Sequence, residues 1–168
     1  STGAHKELRR QLIENNRVKA VMSLPGGVFQ PYSGVKTSVL LFRKGGTTAN
    51  VMFLHADNDG YKLDANHDTA IEADDLPTLA ASFVDRETKL QIWNSRDPKA
   101  EWLEKWWFAD AATLRTNDFN LSAGRYRPMS QTQAKHRDPR ELLDELAAIE
   151  AEIIEEVEAL RVALGDAA

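Results

Sequence analysis

Val18-Lys19-Ala20-Val21-Met22-Ser23-Leu24-Pro25-Gly26-Gly27-Val28-Phe29-Gln30-Pro31-Tyr32-Ser33-Gly34-Val35-Lys36-Thr37-Ser38-Val39-Leu40-Leu41-Phe42 reads as two strands joined by a long glycine-bounded loop. Val18–Leu24 is a strand stopped by Pro25, because proline lacks the N–H that a ladder needs. Val35–Phe42 is richer in branched apolar residues and reads as a buried strand, closed by Lys44-Gly45-Gly46. The connection Gly26–Gly34 exceeds the two to five residues common in hairpins. It carries glycine at both ends, one proline, and Phe29 and Tyr32 between them. Long loops on a rigid sheet often carry function; an irregular hairpin with a packed aromatic is the plainer alternative.

Around this pair the pattern continues. Leu8, Leu12 and Ile13 mark a short amphipathic helix over Lys6–Asn16, and Val51–Leu54 is a third short strand. Residues 57–75 are polar and acidic. Asp57-Asn58-Asp59-Gly60 suggests a calcium loop, but aligning Gly60 with position six puts Asn66 where a bidentate Glu belongs, so a surface turn is expected. Asp74 or Asp75 is the expected cap of a helix over Leu76–Asp85, with Pro77 in its first turn. All four tryptophans lie between Trp93 and Trp107. They suit either a base-stacking surface or a satellite core that packs a loop-rich region onto the sheet. Asp110 reads as the N-cap of a short helix ending near Asn117.

Beyond a polar linker at residues 130–137, Asp138-Pro139-Arg140-Glu141 has the composition of a helix start. The stripe Leu142, Leu146, Ile149, Ile153, Val157, Leu160, Leu164 then continues to Gly165. The spacing predicts one long amphipathic helix over 138–165 that must bury its stripe on its own body or on a partner helix. Charge is split as well. Residues 138–168 carry ten acids against two bases, while the remainder carries nineteen bases against sixteen acids, within a net charge of -5. A domain that grips DNA alone usually shows a clearer basic excess.

Several chemistries are absent from the sequence. With no cysteine there is no disulfide, thiol nucleophile or thiolate metal site. His5, His55, His67 and His136 lie far apart without ligand spacing and read as surface residues. There is no P-loop, nucleophile elbow or dinucleotide fingerprint. No apolar run approaches a membrane span. The N-terminus has neither a signal core nor an initiator Met and reads as a cut through a longer chain.

The segments His5–Leu12, Val18–Phe29 and Gly34–Lys44 resemble, in order, the helix, "ISLPxGVF" and "GVxTxILxFxK" motifs of the modification subunit of type I restriction-modification systems, which are adenine-N6 DNA methyltransferases. Asp59-Gly60-Tyr61-Lys62-Leu63-Asp64 is similar to the family's "DGYxLD", and Asn117–Tyr126 to its "NxYxLSxxRY". The resemblance runs from about residue 5 to 128. It implies an α/β fold: the C-terminal portion of a Rossmann-like methyltransferase sheet, with a helix and a terminal antiparallel strand pair, then a loop-rich extension and a long C-terminal helix. The implied division is 1–56 for the end of the catalytic domain, 57–130 for the extension and 138–165 for a docking helix.

By that resemblance the loop Gly26, Gly27 … Gly34 faces the target base. Phe29 holds the position of an aromatic that stacks on an adenine flipped from the duplex, with Tyr32 as the alternative. Lys36 and Lys44 are candidate phosphate contacts, or simply solvated lysines. The family's glycine-rich cofactor turn and its Asn-Pro-Pro-Phe/Tyr tetrad do not occur in this sequence. S-adenosylmethionine is therefore expected as the parent's cofactor, whereas for this piece no cofactor, metal or catalytic residue is expected. Implied partners are DNA and the specificity and restriction subunits of a cytoplasmic complex. A homodimer through the terminal helix is a further possibility, and no membrane is implied. Two rival readings stay open: a non-catalytic assembly module, and part of a stand-alone or fused adenine methyltransferase.

Overall fold

A computed structural model describes residues 3–128, together with Glu150, Ile153, Ile154 and Val157. Ser1–Pro128 form one compact unit and Met129–Ala168 a second. The helix expected over 138–165 falls almost entirely outside the described residues; Ile153, Ile154 and Val157 are helical and exposed.

The first unit is α/β. Helix α1 (Gly3–Asn15) leads into β1 (Asn16–Ser23), followed by β2 (Ser38–Lys44) and β3 (Asn50–His55). A small antiparallel pair, β4 (Asp59–Tyr61) and β5 (Ala70–Asp74), precedes α2 (Leu76–Val84) and α3 (Arg86–Ser95). Strand β6 (Trp106–Asp110) and α4 (Ala111–Thr116) complete it, with a short 3-10 turn at Ala123–Arg125. The main sheet has the order β2-β1-β3-β6. Strand β1 pairs antiparallel with β2 and parallel with β3, and β6 runs antiparallel to β3.

Alternation along β3 divides the core between the two faces of the sheet, as period-2 side-chain direction requires. Val51 and Phe53 join Ile13, Trp107, Leu114 and Phe119 on the face covered by α1 and α4. Met52 and Leu54 join Leu79, Trp106 and Phe108 on the face covered by α2, with Leu90 and Trp93 of α3 packed against them. Val51 to Leu54 are fully buried, which makes β3 the most deeply buried strand of the sheet.

Two side chains replace missing ladder bonds. Strand β1 is irregular between Val18 and Ala20. There the buried Thr48 hydroxyl accepts the Val18 N–H at 2.9 Å and donates to the Asn16 carbonyl at 2.7 Å. On the other side, Arg86 donates to the Lys19 and Asn50 carbonyls at 3.2 and 2.8 Å, tying β1 to β3. Each keeps a buried backbone group paired, and an orphaned group would cost about 1–3 kcal/mol.

Four expectations are corrected. The strand expected to be buried at Val35–Phe42 starts at Ser38 and lies at the sheet's edge, with Val39 and Phe42 43% and 51% exposed. An apolar run indicates that a strand needs cover but not which element supplies it. The region 57–130, expected to be loop-rich, contains α2, α3 and α4 and contributes β6 to the central sheet itself. The surface turn expected at Asp57–Gly60 instead leads into β4, which pairs with β5 and in which Asp59 is buried. His55 and His67 are not surface groups, since their side chains are only 17% and 12% exposed and meet Asp57 and Asp59.

Asp110 caps α4 as expected, its carboxylate accepting the Thr113 N–H at 2.7 Å. At α2 the two aspartates divide the work differently. Asp74 accepts the Leu76 N–H, while Asp75 turns away to bind the backbone N–H groups of Asp57 and Asn58.

Candidate base-facing loop

The loop leaves β1 after Ser23 and returns at β2, and Leu24 N–H to Thr37 C=O (3.0 Å) closes its neck. Inside, Gln30 N–H donates to Gly27 C=O, and the Tyr32 and Ser33 N–H groups both donate to Phe29 C=O, at 2.9–3.0 Å. The Gln30–Pro31 peptide is cis. Gly27 sits at φ +94°, which disfavours any side chain, and a Cβ at Gly34 would come 2.9 Å from Gln30 Nε2. A dense turn therefore holds the two aromatics outward. Phe29 is 49% exposed and Tyr32, at the tip, 94% exposed. Val35, on the outgoing limb, is also exposed. An apolar ring normally gains by burial; two on one tightly bonded loop form a surface suited to another flat apolar group. At the neck, the buried Thr37 hydroxyl has no hydrogen-bond partner among the described residues.

The sequence candidates separate into two places. Phe29, Tyr32, Gly26, Gly27, Gly34 and Lys36 lie on the loop or its outgoing limb. Lys44 pairs with Asn16 at the far end of the β1–β2 ladder, about 20 Å from Ser38 at ~3.3 Å per residue. Lys36 and Lys44 cannot meet the same phosphate.

Sequence reasoning missed His55, whose signal would have been its place at the end of a strand parallel to β1. It aligns with Ser23, where the loop begins. Burial pushes its imidazole below the ordinary histidine value, Asp57 at 3.1 Å pulls the other way, and the Lys36 and Arg127 charges add to the lowering. Behind it, Lys105 binds Asp75 at 2.7 Å and Asp57 at 2.9 Å. The Lys105 hydrogen bond holds the Asp57 carboxyl below its usual range. For Asp75, burial alone would raise the carboxyl, but Lys105 and two backbone N–H groups outweigh it and the value is lowered. Burial likewise opposes the charge on Lys105, yet its two aspartates raise it. This clamp ties the exit of β3 to the start of α2, so it braces the loop end of the sheet from behind.

Among the described residues no group of His, Asp and Glu is placed to hold a metal ion. No helix there is long and apolar enough to cross a membrane. The tryptophans are structural: Trp93, Trp102, Trp106 and Phe108 make a chain of tilted and edge-on contacts on the α2/α3 face, while Trp107 is fully buried on the other.

The chain is similar to several known proteins. The methylase subunit of the type I restriction enzyme EcoEI of Escherichia coli is 30% identical over 169 residues, covering 98% of this chain and 32% of that protein. The chain thus spans about a third of the length of this curated relative. A chain from a solved structure concerned with assembly of the type I R-M system is 22% identical, with a TM-score of 0.48, covering 99% of this chain and 34% of that one. The type I restriction enzyme EcoKI M protein is 18% identical, with a TM-score of 0.44, covering 98% and 38%. The model of the family described as N-6 DNA methylase matches residues 1–135, which take in the whole of the first unit. With that match extending over most of its length, the chain belongs to the N-6 DNA methylase family.

Proposed function

We propose that this chain is the C-terminal part of the modification subunit of a type I restriction-modification enzyme, an adenine-N6 DNA methyltransferase, and that its loop Gly26–Gly34 receives the flipped target adenine. The observation that carries this reading is the pair of exposed rings, Phe29 and Tyr32, on a loop tightened by its own backbone bonds. A base taken from the duplex loses its stacking and needs a replacement π-face, worth about 1–3 kcal/mol. Phe29 is the first candidate, because Ser33 and Tyr32 donate to its own carbonyl and fix its backbone. Tyr32 is the second.

The outer edge of β2 supports the same reading. Its apolar side chains are half exposed, and no described strand pairs with it. An edge of this kind invites another strand, and the remaining strands of a parent catalytic domain would supply one. In the parent, residues 1–56 then supply three strands of the catalytic sheet, 57–130 add β6 and the helices that cover it, and the acidic segment 138–165 docks on the specificity subunit, with the restriction subunit joining the complex.

The residues lining two of the cavities do not suit S-adenosylmethionine. These cavities hold about 340 and 410 Å³; the first sets Arg17, Lys19 and Arg86 against the single acid Glu87, and the second Arg96, Arg125 and Arg127 against the single acid Asp110. Cationic walls are a poor match for a sulfonium group. No step of methyl transfer is therefore assigned to this chain, and its role is to position the base.

The test is made in the full-length parent. Phe29→Ala is expected to lower methylation about 10–100-fold, following the stacking energy, with subunit assembly intact and with loss of the fluorescence rise from 2-aminopurine at the target site. Tyr32→Ala is the parallel arm. Unchanged methylation in both variants would refute the reading and favour a non-catalytic assembly role.

A further inference from the structure

A second cavity lies along the outer edge of β6, on the opposite side of the sheet from β2. Its lining includes Asn50 and Asp110, Trp93 and Tyr126, and Arg96, Arg125 and Arg127, and it holds about 410 Å³. Three guanidinium groups thus converge on one open cleft, and among the described residues none of them forms an ion pair. Arg96 lies flat on Trp93, its guanidinium carbon 3.3 Å from the ring centroid, and donates to the Trp93 carbonyl. Arg125 donates to the Asn117 side-chain carbonyl at 3.0 Å, and Arg127 sits 5.5 Å above the Trp107 ring. A guanidinium has five N–H donors, so each of these contacts leaves most of them available. The one carboxylate in the lining, Asp110, is occupied by the N-terminus of α4.

We propose that this cleft binds the phosphodiester backbone of duplex DNA. The three charges are held in place mainly by stacking and by neutral acceptors, with Asp118 near enough to Arg125 to feel its charge, and they keep donors free for a polyanion. The rings are already engaged, Trp93 by Arg96 and Tyr126 by Phe53 at 4.9 Å. They cannot serve as base-stacking platforms, so the ligand offered to the cleft is phosphate and not base.

Position argues for the same duplex that the loop receives, and to that extent the inference rests on the function proposed above. Arg127 covers Trp107, Trp107 lies 6.3 Å from His55, and His55 aligns with Ser23 at the root of the loop. Strand β6 is two ladder spacings from β1, about 10 Å. Along the strands the Asn50–Asp110 end of the cleft lies five residues, about 16 Å, from His55, so the phosphates that reach Arg127 are those farther along the duplex from the adenine at the loop.

The test uses the whole 168-residue chain and a 30-base-pair duplex of arbitrary sequence, with affinity measured by anisotropy from 50 to 200 mM salt. In the double variant Arg125→Gln/Arg127→Gln, two lost phosphate contacts should reduce the log–log salt slope by about 1.8. Over that range, the salt-induced loss of affinity should become about 12-fold smaller. Both residues are exposed, and the charge-preserving pair Arg125→Lys/Arg127→Lys should restore most of the slope. Lys62→Gln, on the β4–β5 pair, should change neither quantity. An unaltered slope in the glutamine pair overturns the cleft. If that happens while Phe29→Ala still lowers methylation in the parent, the loop assignment survives alone. If the unsubstituted chain shows no salt-dependent duplex binding, the cleft assignment is overturned whatever the loop does. Binding of inorganic pyrophosphate without duplex binding marks a small-anion site and overturns the assignment to DNA.

Discussion

Replacing Thr48 with valine removes a single oxygen and strands two backbone groups at the entry to β1. The Thr48 side chain is buried; its hydroxyl accepts the Val18 N–H at 2.9 Å and donates to the Asn16 carbonyl at 2.7 Å. Val18 is 2% exposed, so its N–H loses its partner with no water to replace it. That loss costs about 2 kcal/mol. The Asn16 carbonyl belongs to a half-buried residue and costs about 1 kcal/mol, while the added methyl returns roughly 0.8 kcal/mol by burial. The net destabilisation is about 2 kcal/mol. At a urea dependence of about 1.5 kcal/mol per molar, it moves the unfolding midpoint down by about 1.3 M. All four tryptophans lie in the first unit, so their fluorescence reports this transition directly. Thr48→Ser keeps both hydrogen bonds and loses only a methyl group, so it should cost no more than about 1 kcal/mol. If valine costs less than about 0.5 kcal/mol, or serine more than valine, the hydroxyl does not replace the missing ladder bond and the account of β1 fails.

Asp110→Ala removes the α4 cap and should cost about 1 kcal/mol in the same urea assay. The Asp110 carboxyl is held below its ordinary value by the Thr113 N–H. Its contribution is therefore complete above the unfolded value of about 3.9 and disappears as pH falls through the lower folded value; an alanine variant equally stable at pH 7 would exclude the cap. His55 should titrate by NMR below the ordinary value of about 6.5, because burial, then Lys36 and Arg127, disfavour its charged form. The stability it contributes is present above about pH 6.5 and is lost as pH falls through the folded value. Lys36→Gln should raise the titration midpoint, and a midpoint that does not move would separate Lys36 from the strand end.

Much of the first unit was legible in the residues alone. The helix ending at Asn15-Asn16, the strand stopped by Pro25, the long glycine-bounded connection and the Asp110 cap all follow from local rules of periodicity, turn chemistry and capping. These depend on neighbours within a few positions. The family motifs also lie within such short stretches, so the resemblance could be drawn before any fold was known.

Tertiary structure decided the rest, because pairing partners are distant in the chain. Trp106–Asp110 looked like part of an aromatic patch and became a strand only through its register with Asn50–Leu54. Val35–Phe42 had the composition of an interior strand, yet Ser38–Lys44 is an edge, since composition records the need for burial and not the neighbour that provides it. Lys36 and Lys44 looked equivalent until the sheet placed them at opposite ends. His55 gained a place at the loop root, and Arg96, Arg125 and Arg127 came to share one cleft, only when α3, β6 and the segment after α4 folded against each other. Local sequence determined which residues form each element; the shared sheet and its two covered faces determined which residues meet.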